Sequence, residues 1–244
     1  MTETCARRRF KRRGLKKILI AIDGPAGSGK STTARLVARR LGYVYVDTGA
    51  MYRAMTYKVL TSGASPADEA AVVKLSRDTR ISLVDGGELK VMLDGQDVTE
   101  AIRSEEVTKS VSLVSSYNEV RVLMVEKQRQ IGAAGGCVVD GRDIGTVVFP
   151  HADLKFYMVA DIAERARRRQ VELSGTGVDL PVEQVVQELK ERDFKDSTRE
   201  TSPLKKADDA IEIDTTNLTI DEQVEIILSY AREVAVGHEE MQRK

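Results

Sequence analysis

Apolar runs too short for a helix alternate with amphipathic stretches along most of the chain. Residues 18–22 are apolar without alternation, which predicts a short strand that is buried on both faces. A glycine-rich turn at 23–29, a helical stretch at 31–41 and a second apolar run at 43–46 follow it. Strand, turn, helix and strand in this order predict a βαβ unit and hence a parallel sheet.

Residues 61–117 follow a different pattern. Strand-like pieces that carry Leu83, Val91 and Leu93 are separated by Asp-Gly turn signals, which predicts a small antiparallel insert with helices around it. Beyond the insert, buried strands are predicted at residues 137–139, 154–159 and 211–213. Helices are predicted at residues 122–131, at 162–171, from 182 and, behind a capping box of Thr219 and Glu222, at the carboxyl end.

The composition excludes several classes of protein. Hydrophobic residues make up 41% and charged residues 31% of the 244 residues, as in ordinary globular proteins. No apolar run approaches the roughly 20 residues that a membrane-spanning helix needs. Two cysteines cannot form a disulfide framework and suit a reducing cytoplasm, where we expect the protein to be located. Two histidines exclude a multi-histidine metal site.

Charge is concentrated at the amino end. Residues 1–17 carry eight basic side chains and one acidic side chain, a net charge of +7, which leaves a net charge of −7 on the rest of the chain. A body of that charge is a poor general binder of nucleic acid. We expect residues 1–16 to form a disordered basic tail, although weak binding of RNA or another polyanion by this tail stays open.

The turn after the first predicted strand carries the clearest motif. Residues 24–31 match the pattern G-x-x-x-x-G-K-[ST] at every specified position. Its glycines let main-chain N–H groups converge on phosphate oxygens, Lys30 adds a positive charge, and the Ser31 hydroxyl can ligate Mg²⁺. The position between a strand and a helix supports nucleotide binding. The predicted nucleotide-binding residues are Gly24, Pro25, Ala26, Gly27, Ser28, Gly29, Lys30, Ser31 and Thr32.

The motif alone does not identify the reaction. No Asn-Lys-x-Asp motif is present, which argues against a guanine-specific switch protein. The strand that ends in Asp140 leaves a nucleic-acid-binding P-loop ATPase open as an alternative, although the chain has little room for motor modules.

Arginines favour phosphoryl transfer. Such a reaction needs planar cations that hold two polyanions and neutralise the moving group. Arg192, Asp196 and Arg199 are spaced so that they share one face of a helix. The cluster of Arg165, Arg168 and Arg169 fits a solvated basic helix surface as well as it fits a role in phosphate binding. Further candidates, each in or beside a turn or helix end, are Arg53, Arg121 and Arg142.

Taken together, these segments resemble the bacterial cytidylate kinase family. The resemblance covers about residues 18–230. It rests on the P-loop and on three further segments: Asp47-Thr48-Gly49-Ala50-Met51-Tyr52-Arg53, Asp140-Gly141-Arg142-Asp143-Ile144-Gly145-Thr146-Val147-Val148-Phe149-Pro150, and Glu191-Arg192-Asp193 running to Arg199.

The resemblance implies an α/β fold in three regions. It implies a P-loop kinase core with a parallel sheet flanked by helices, which we assign to residues 17–60, 118–161 and 200–244. It further implies an enlarged insert that binds the nucleoside monophosphate, with a small antiparallel sheet, at 61–117. The lid and its adjoining helices are assigned to 162–199.

The resemblance also implies roles for individual residues. Those expected to act in catalysis are Lys30, Arg142, Arg192 and Arg199. Thr48 and Arg53 face the monophosphate, with Arg53 and Arg142 holding its phosphate. The positions expected to recognise cytosine are Ser112, Arg121 and Asp143. Arg192 and Asp196 match positions near the ribose, and Arg199 joins the phosphate-binding set.

The implied activity is direct in-line transfer of the γ-phosphoryl group from ATP to CMP or dCMP, with Mg²⁺. The acceptor oxygen is anionic at neutral pH, so the reaction requires no general base. Asp143 beside Arg121 can pair with the amino donor and ring acceptor of cytosine, which predicts a preference for CMP over UMP. We expect a monomer whose partners are these nucleotides, with no membrane and no nucleic acid required.

Overall fold

The computed structural model of the chain describes residues 17–85, 89–175, 177 and 179–241. The predicted basic tail at 1–16 lies outside the described residues. The strands are β1 (Leu19–Asp23), β2 (Val44–Asp47), β3 (Ile81–Asp85), β4 (Leu89–Leu93), β5 (Gln96–Asp97), β6 (Cys137–Gly141), β7 (Leu154–Val159) and β8 (Ile211–Asp214). The helices are α1 (Lys30–Leu41), α2 (Thr48–Thr61), α3 (Glu69–Asp78), α4 (Glu105–Val114), α5 (Asn118–Gly132), α6 (Ile162–Ser174), α7 (Val182–Thr198) and α8 (Ile220–Met241).

Five parallel strands in the order β2-β6-β1-β7-β8 form the central sheet. Successive residues of β1 pack on opposite faces because side chains alternate along a strand. Ile20 and Ile22 pack with α1 and α8, whereas Ala21 packs with α2 and α5. Each of the three is fully buried. The structure therefore confirms the predicted α/β fold, with a parallel sheet covered by helices on both faces.

The order of the strands places a crevice at the carboxyl end of β1. The chain connects β1 through α1 to β2 at one edge, and β7 pairs with β1 on the other side. Crevices at such reversals of strand order are where α/β sheets bind ligands. The residues at the ends of β1, β2 and β6 are therefore placed around one site.

A smaller antiparallel sheet of β3, β4 and β5 packs beside α2, as the turn signals predict. Val91 and Leu93 of β4 join the same apolar core as α2. Helices α6 and α7 pack on each other through Ala166, Val185 and Leu189, and this small core includes Ala26 of the P-loop. In the described part of the chain, no helix combines the length and apolar character needed to cross a bilayer.

Candidate active site

The loop between β1 and α1 adopts a conformation that depends on glycine. Gly27 and Gly29 have φ values of 76° and 86°, a left-handed region that glycine enters without strain. A Cβ atom at Gly24 would collide with the carbonyl oxygen of Met158. Helix α1 begins at Lys30, and no side chain caps its first turn. Its first main-chain N–H groups therefore remain for an anionic ligand.

Lys30 is held inside this loop. Its side chain is only 7% exposed, and its Nζ donates a hydrogen bond of 3.3 Å to the carbonyl oxygen of Pro25. Burial lowers the pKa of the Lys30 ammonium to about 7, and the positive charge of Arg142 contributes to this shift. A bound polyanion would restore the charge that burial disfavours.

Ser31 and Asp140 supply hard oxygen atoms beside the loop. The Ser31 hydroxyl donates a 2.6 Å hydrogen bond to Asp140 Oδ2, and the Tyr45 hydroxyl donates a 2.9 Å bond to Asp140 Oδ1. Burial raises the pKa of Asp140 to about 6, and the nearby Asp47 carboxylate adds to the effect. No group of three or more His, Cys, Asp or Glu side chains suited to a metal occurs among the described residues. A hydroxyl and a carboxylate fit Mg²⁺, which usually takes its remaining ligands from phosphate and water.

A chain of alternating charges extends across the crevice. Arg121 Nη2 lies 2.6 Å from Asp143 Oδ2, and Asp143 Oδ1 lies 3.7 Å from Arg199 Nη2. Arg199 Nη1 lies 3.9 Å from Asp196 Oδ1, and Asp196 Oδ2 accepts a 2.9 Å hydrogen bond from Arg142 Nε. Helices α5 and α7 and the segment after β6 thus contribute to one charged cluster.

The cluster has unused hydrogen-bond donors. Among the described residues, five arginines each have one buried guanidinium nitrogen without a hydrogen-bond partner. Four of them lie in or beside the cluster, namely Arg53, Arg121, Arg192 and Arg199, and the fifth, Arg165, lies against the P-loop. Burial lowers the pKa of Arg192 to about 10, and Arg142 contributes as a like charge. Because buried donors are normally paired, these nitrogens indicate a site for an anion with several oxygen acceptors, such as a phosphate.

A buried ion pair lies at one end of the cluster. Arg121 and Asp143 are 2% and 4% exposed. Arg121 also donates a 3.0 Å hydrogen bond to the Ser115 carbonyl oxygen, and its guanidinium lies 5.3 Å from the ring centroid of Tyr52. These contacts fix a carboxylate and a guanidinium side by side, an arrangement able to recognise one donor and one acceptor on a planar base.

A family sequence profile that is described as Cytidylate kinase matches residues 20–233. This chain belongs to the cytidylate kinase family. A cytidylate kinase of Bacillus licheniformis is 52% identical over 215 residues, which cover 87% of this chain and 95% of that protein. One of Halalkalibacterium halodurans is 50% identical over 90% of this chain and 99% of that protein. A third, of Bacillus velezensis, is 51% identical over 85% of this chain and 93% of that protein.

The matched span contains every residue that the sequence predicts for the cytidylate kinase site. Contacts or mutual electrostatic effects join most of them at the carboxyl end of the sheet: Lys30, Ser31, Arg53, Arg121, Arg142, Asp143, Arg192, Asp196 and Arg199. The phosphate-binding and base-recognising roles of these residues stay predictions.

Besides the P-loop residues 24–29, three predicted residues are not part of this network. The Thr48 hydroxyl donates a 2.7 Å hydrogen bond to the main-chain carbonyl oxygen of Asp140, so it joins α2 to β6. Ser112 lies on α4, where its carbonyl oxygen accepts a bond from the Ser115 hydroxyl. Arg121 Nη1 donates to the main-chain carbonyl oxygen of Ser115, and the base-recognising role of Ser112 stays a prediction. Thr32 is exposed on the first turn of α1.

Two groups important to the geometry were not among the predicted site residues. Arg165 Nη1 donates to the Ala26 carbonyl oxygen at 3.1 Å and to Asp193 Oδ2 at 2.6 Å, so it ties α6 and α7 to the P-loop. Its arginine-rich helix was a signal, but a weak one. Asp23, the last residue of β1, is 4% exposed and accepts hydrogen bonds from Ile144 and Gly145 N–H groups. A polar residue that ends an apolar strand was its only signal.

Proposed function

We propose that this protein transfers the γ-phosphoryl group of ATP to CMP or dCMP, giving ADP and CDP or dCDP. Membership of the cytidylate kinase family over residues 20–233 carries the proposal. The geometry supports it, because a P-loop and a cluster of arginines with unused donors occupy the same crevice.

The P-loop would hold the donor nucleotide. The N–H groups of the first turn of α1 and the Lys30 ammonium are placed to contact its phosphates. Ser31 and Asp140 would hold Mg²⁺ together with those phosphates. When bound, Mg²⁺ neutralises charge on the transferring group and leaving oxygen.

The arginine cluster would hold the acceptor. Arg53, Arg142 and Arg199 would bind the phosphate of the monophosphate, and Arg192 would stabilise the group in transit between the two nucleotides. The acceptor oxygen needs no deprotonation, so these side chains act by alignment and electrostatic stabilisation. Exclusion of water is equally necessary, since water would otherwise accept the phosphoryl group, and the α6–α7 hairpin is placed to provide it.

The Arg121–Asp143 pair would select the base. The carboxylate can accept from the cytosine amino group, whereas uracil would present a carbonyl oxygen to the same carboxylate. A buried polar group without a partner costs about 1–3 kcal/mol, which corresponds to roughly a fivefold to 150-fold preference for CMP over UMP.

A coupled assay of ADP release tests the proposal. ATP and Mg²⁺ are supplied with CMP, dCMP, UMP, AMP or single-stranded RNA in separate reactions. We expect CMP and dCMP to give the largest kcat/KM. Stimulation by RNA and by none of the monophosphates would instead support a nucleic-acid-binding ATPase, which no comparison favours.

A further inference from the structure

We propose that Asp23 is a positioning residue that sets the acceptor specificity of this enzyme, because it caps the turn that presents Arg142 and Asp143. This inference rests on the proposed function. The hydrogen bonds of Asp23 are to main-chain N–H groups of the turn, so it would act through the main chain of the neighbouring residues.

The turn in question follows Asp143 directly. Residues Ile144–Val148 form one short π-helical segment in which Val147 and Val148 donate main-chain hydrogen bonds to the Asp143 carbonyl oxygen, at 2.9 and 3.1 Å. The first N–H groups of any helical segment lack partners inside it. Here those groups belong to Ile144 and Gly145, which are both buried.

Asp23 satisfies both of these buried donors. Its Oδ1 accepts from the Ile144 N–H and its Oδ2 accepts from the Gly145 N–H, each at 2.8 Å. Each carboxylate oxygen thus serves one N–H group, and no other residue type of similar size supplies two acceptors in this position. Burial raises the pKa of Asp23 to about 7. Keeping this carboxylate ionised in its buried position therefore lowers the stability of the folded protein.

The carboxyl end of the turn is also held by hydrogen bonds. Arg129 of α5 donates from Nε to the Val148 carbonyl oxygen at 2.9 Å and from Nη2 to the Val147 carbonyl oxygen at 2.7 Å. Asp23 and Arg129 therefore fix the turn at both ends. The residue immediately before the turn is Asp143, which pairs with Arg121, and the residue before that is Arg142.

Asp23 also links the two halves of the site. It is the last residue of β1 and directly precedes Gly24 of the P-loop, and it lies opposite Gly141 in the sheet. The P-loop has supports of its own, since the Ser28 and Ala26 carbonyl oxygens accept hydrogen bonds from Thr215 and Arg165. Loss of the Asp23 carboxylate should therefore disturb the acceptor side more than the donor side.

The variant that tests this is Asp23→Asn, assayed at a pH well above 7. Asparagine keeps the size of the side chain but offers one oxygen, and its NH₂ group would face a main-chain N–H. One buried donor is then unpaired and the turn loosens. We expect KM for CMP to rise about tenfold or more and the preference for CMP over UMP to fall, while KM for ATP changes less than about threefold.

Asp153→Asn is the matched control. Asp153 Oδ2 accepts a 2.8 Å hydrogen bond from the N–H of Leu19, at the opposite end of the same strand. This variant removes one carboxylate that holds β1 but lies away from the site, so both KM values should stay at their wild-type level. If Asp23→Asn behaves like this control, or raises the two KM values equally, the inference is overturned.

A second variant decides the matter if Asp23→Asn fails to fold. Arg129→Gln releases the other end of the same turn from a partly exposed position, and it should raise KM for CMP in the same direction. An unchanged KM in that variant would overturn the inference. The wild-type assay separates the two failures. Wild-type protein without CMP-dependent ADP release would contradict the proposed function, whereas active wild type together with unaffected variants would contradict only this inference.

Discussion

Lys30 occupies a position that disfavours its own charge. It is as buried as Lys155, at 7% exposure, but their surroundings differ. Lys155 Nζ pairs with Asp209 at 2.8 Å and with the Pro150 carbonyl oxygen at 2.6 Å, whereas Lys30 has one long bond to a carbonyl oxygen and arginines nearby. Such a residue contributes to function at the expense of stability.

Lys30→Met should therefore separate stability from activity. Turnover should fall by about 10²-fold or more, because a preorganised cation that stabilises transferring charge is lost. Without nucleotide, the free energy of unfolding should stay equal or increase. Between about pH 7 and 10.5, folded wild type binds fewer protons at Lys30 than the unfolded chain, so the free energy of unfolding of wild type rises with pH. The stability that Lys30→Met gains over wild type should therefore be largest below pH 7 and shrink as the pH rises.

Calorimetry without nucleotide and a turnover assay check this pair of effects. Lys155→Met is the control, since it removes a paired lysine outside the site and should lower stability without changing turnover per folded molecule. A Lys30→Met protein that is both inactive and markedly destabilised would contradict the account.

Asp143 should decide which base is accepted. In Asp143→Asn the side chain presents an NH₂ group that can pair with the uracil carbonyl, so the CMP-to-UMP ratio of kcat/KM should fall about tenfold or more. KM for ATP should change little, because Asp143 contacts Arg121 and Arg199 and not the P-loop. Steady-state assays with both monophosphates measure the ratio. Equal losses for CMP and UMP would show that Asp143 does not recognise the base.

Among the elements, the α6–α7 hairpin connects the two halves of the site. Arg165 joins it to the P-loop, and Asp196 joins it to Arg142. Because Arg192 of the hairpin has an unpaired buried donor and lies near Arg142 of the segment after β6, a phosphate bound by both should draw the hairpin towards the sheet.

Hydrogen exchange tests this movement. With CMP and ADP present together, amides of α6 and α7 should exchange more slowly than in free protein, and either nucleotide alone should protect them less. The middle of α8, which belongs to a different apolar core from that of α6 and α7, serves as the internal reference. Protection of α8 equal to that of α6 and α7 would indicate general stabilisation and contradict closure of a lid.

Elements with local signals could be predicted from the sequence. β1 is identified by an unbroken apolar run. The amino end of α8 is identified by its capping box, confirmed by a 2.8 Å hydrogen bond from Thr219 N to Glu222 and a reciprocal 3.3 Å bond from Glu222 N to Thr219. The turn at Ile144–Val148 has no such local signal, because its cap, Asp23, comes from 121 residues away in the chain. Partners that distant are set by the strand order and not by spacing.

The same difference applies to the site. The P-loop is contiguous, so the sequence shows all of it. The arginine cluster is assembled from α2, α5, α7 and the segment after β6. Turn and helix-end patterns could suggest its arginines as candidates, but only resemblance to a family could assign them individual roles. Ser112 could be placed only by counting back from Arg121, and its role in recognising the base stays a prediction.

At the scale of the whole molecule, every residue assigned a functional role lies at Asp23 or beyond it in the chain. Deletion of residues 1–16 should therefore leave kcat and KM for CMP within about twofold of wild type, as expected for changes away from the site. Steady-state kinetics of the truncated chain check this. A large loss of turnover would mean that the basic segment takes part in the reaction.

The central claim is that two nucleotides lie end to end in one crevice. A crystal structure with CMP and a non-hydrolysable ATP analogue measures this directly. We predict that an acceptor phosphate oxygen lies about 3–3.5 Å from the γ-phosphorus, with the cytosine against Arg121 and Asp143 and its phosphate among the arginines. A CMP molecule bound away from Arg53, Arg142, Arg192 and Arg199, with its phosphate out of line with the P-loop, would contradict the account.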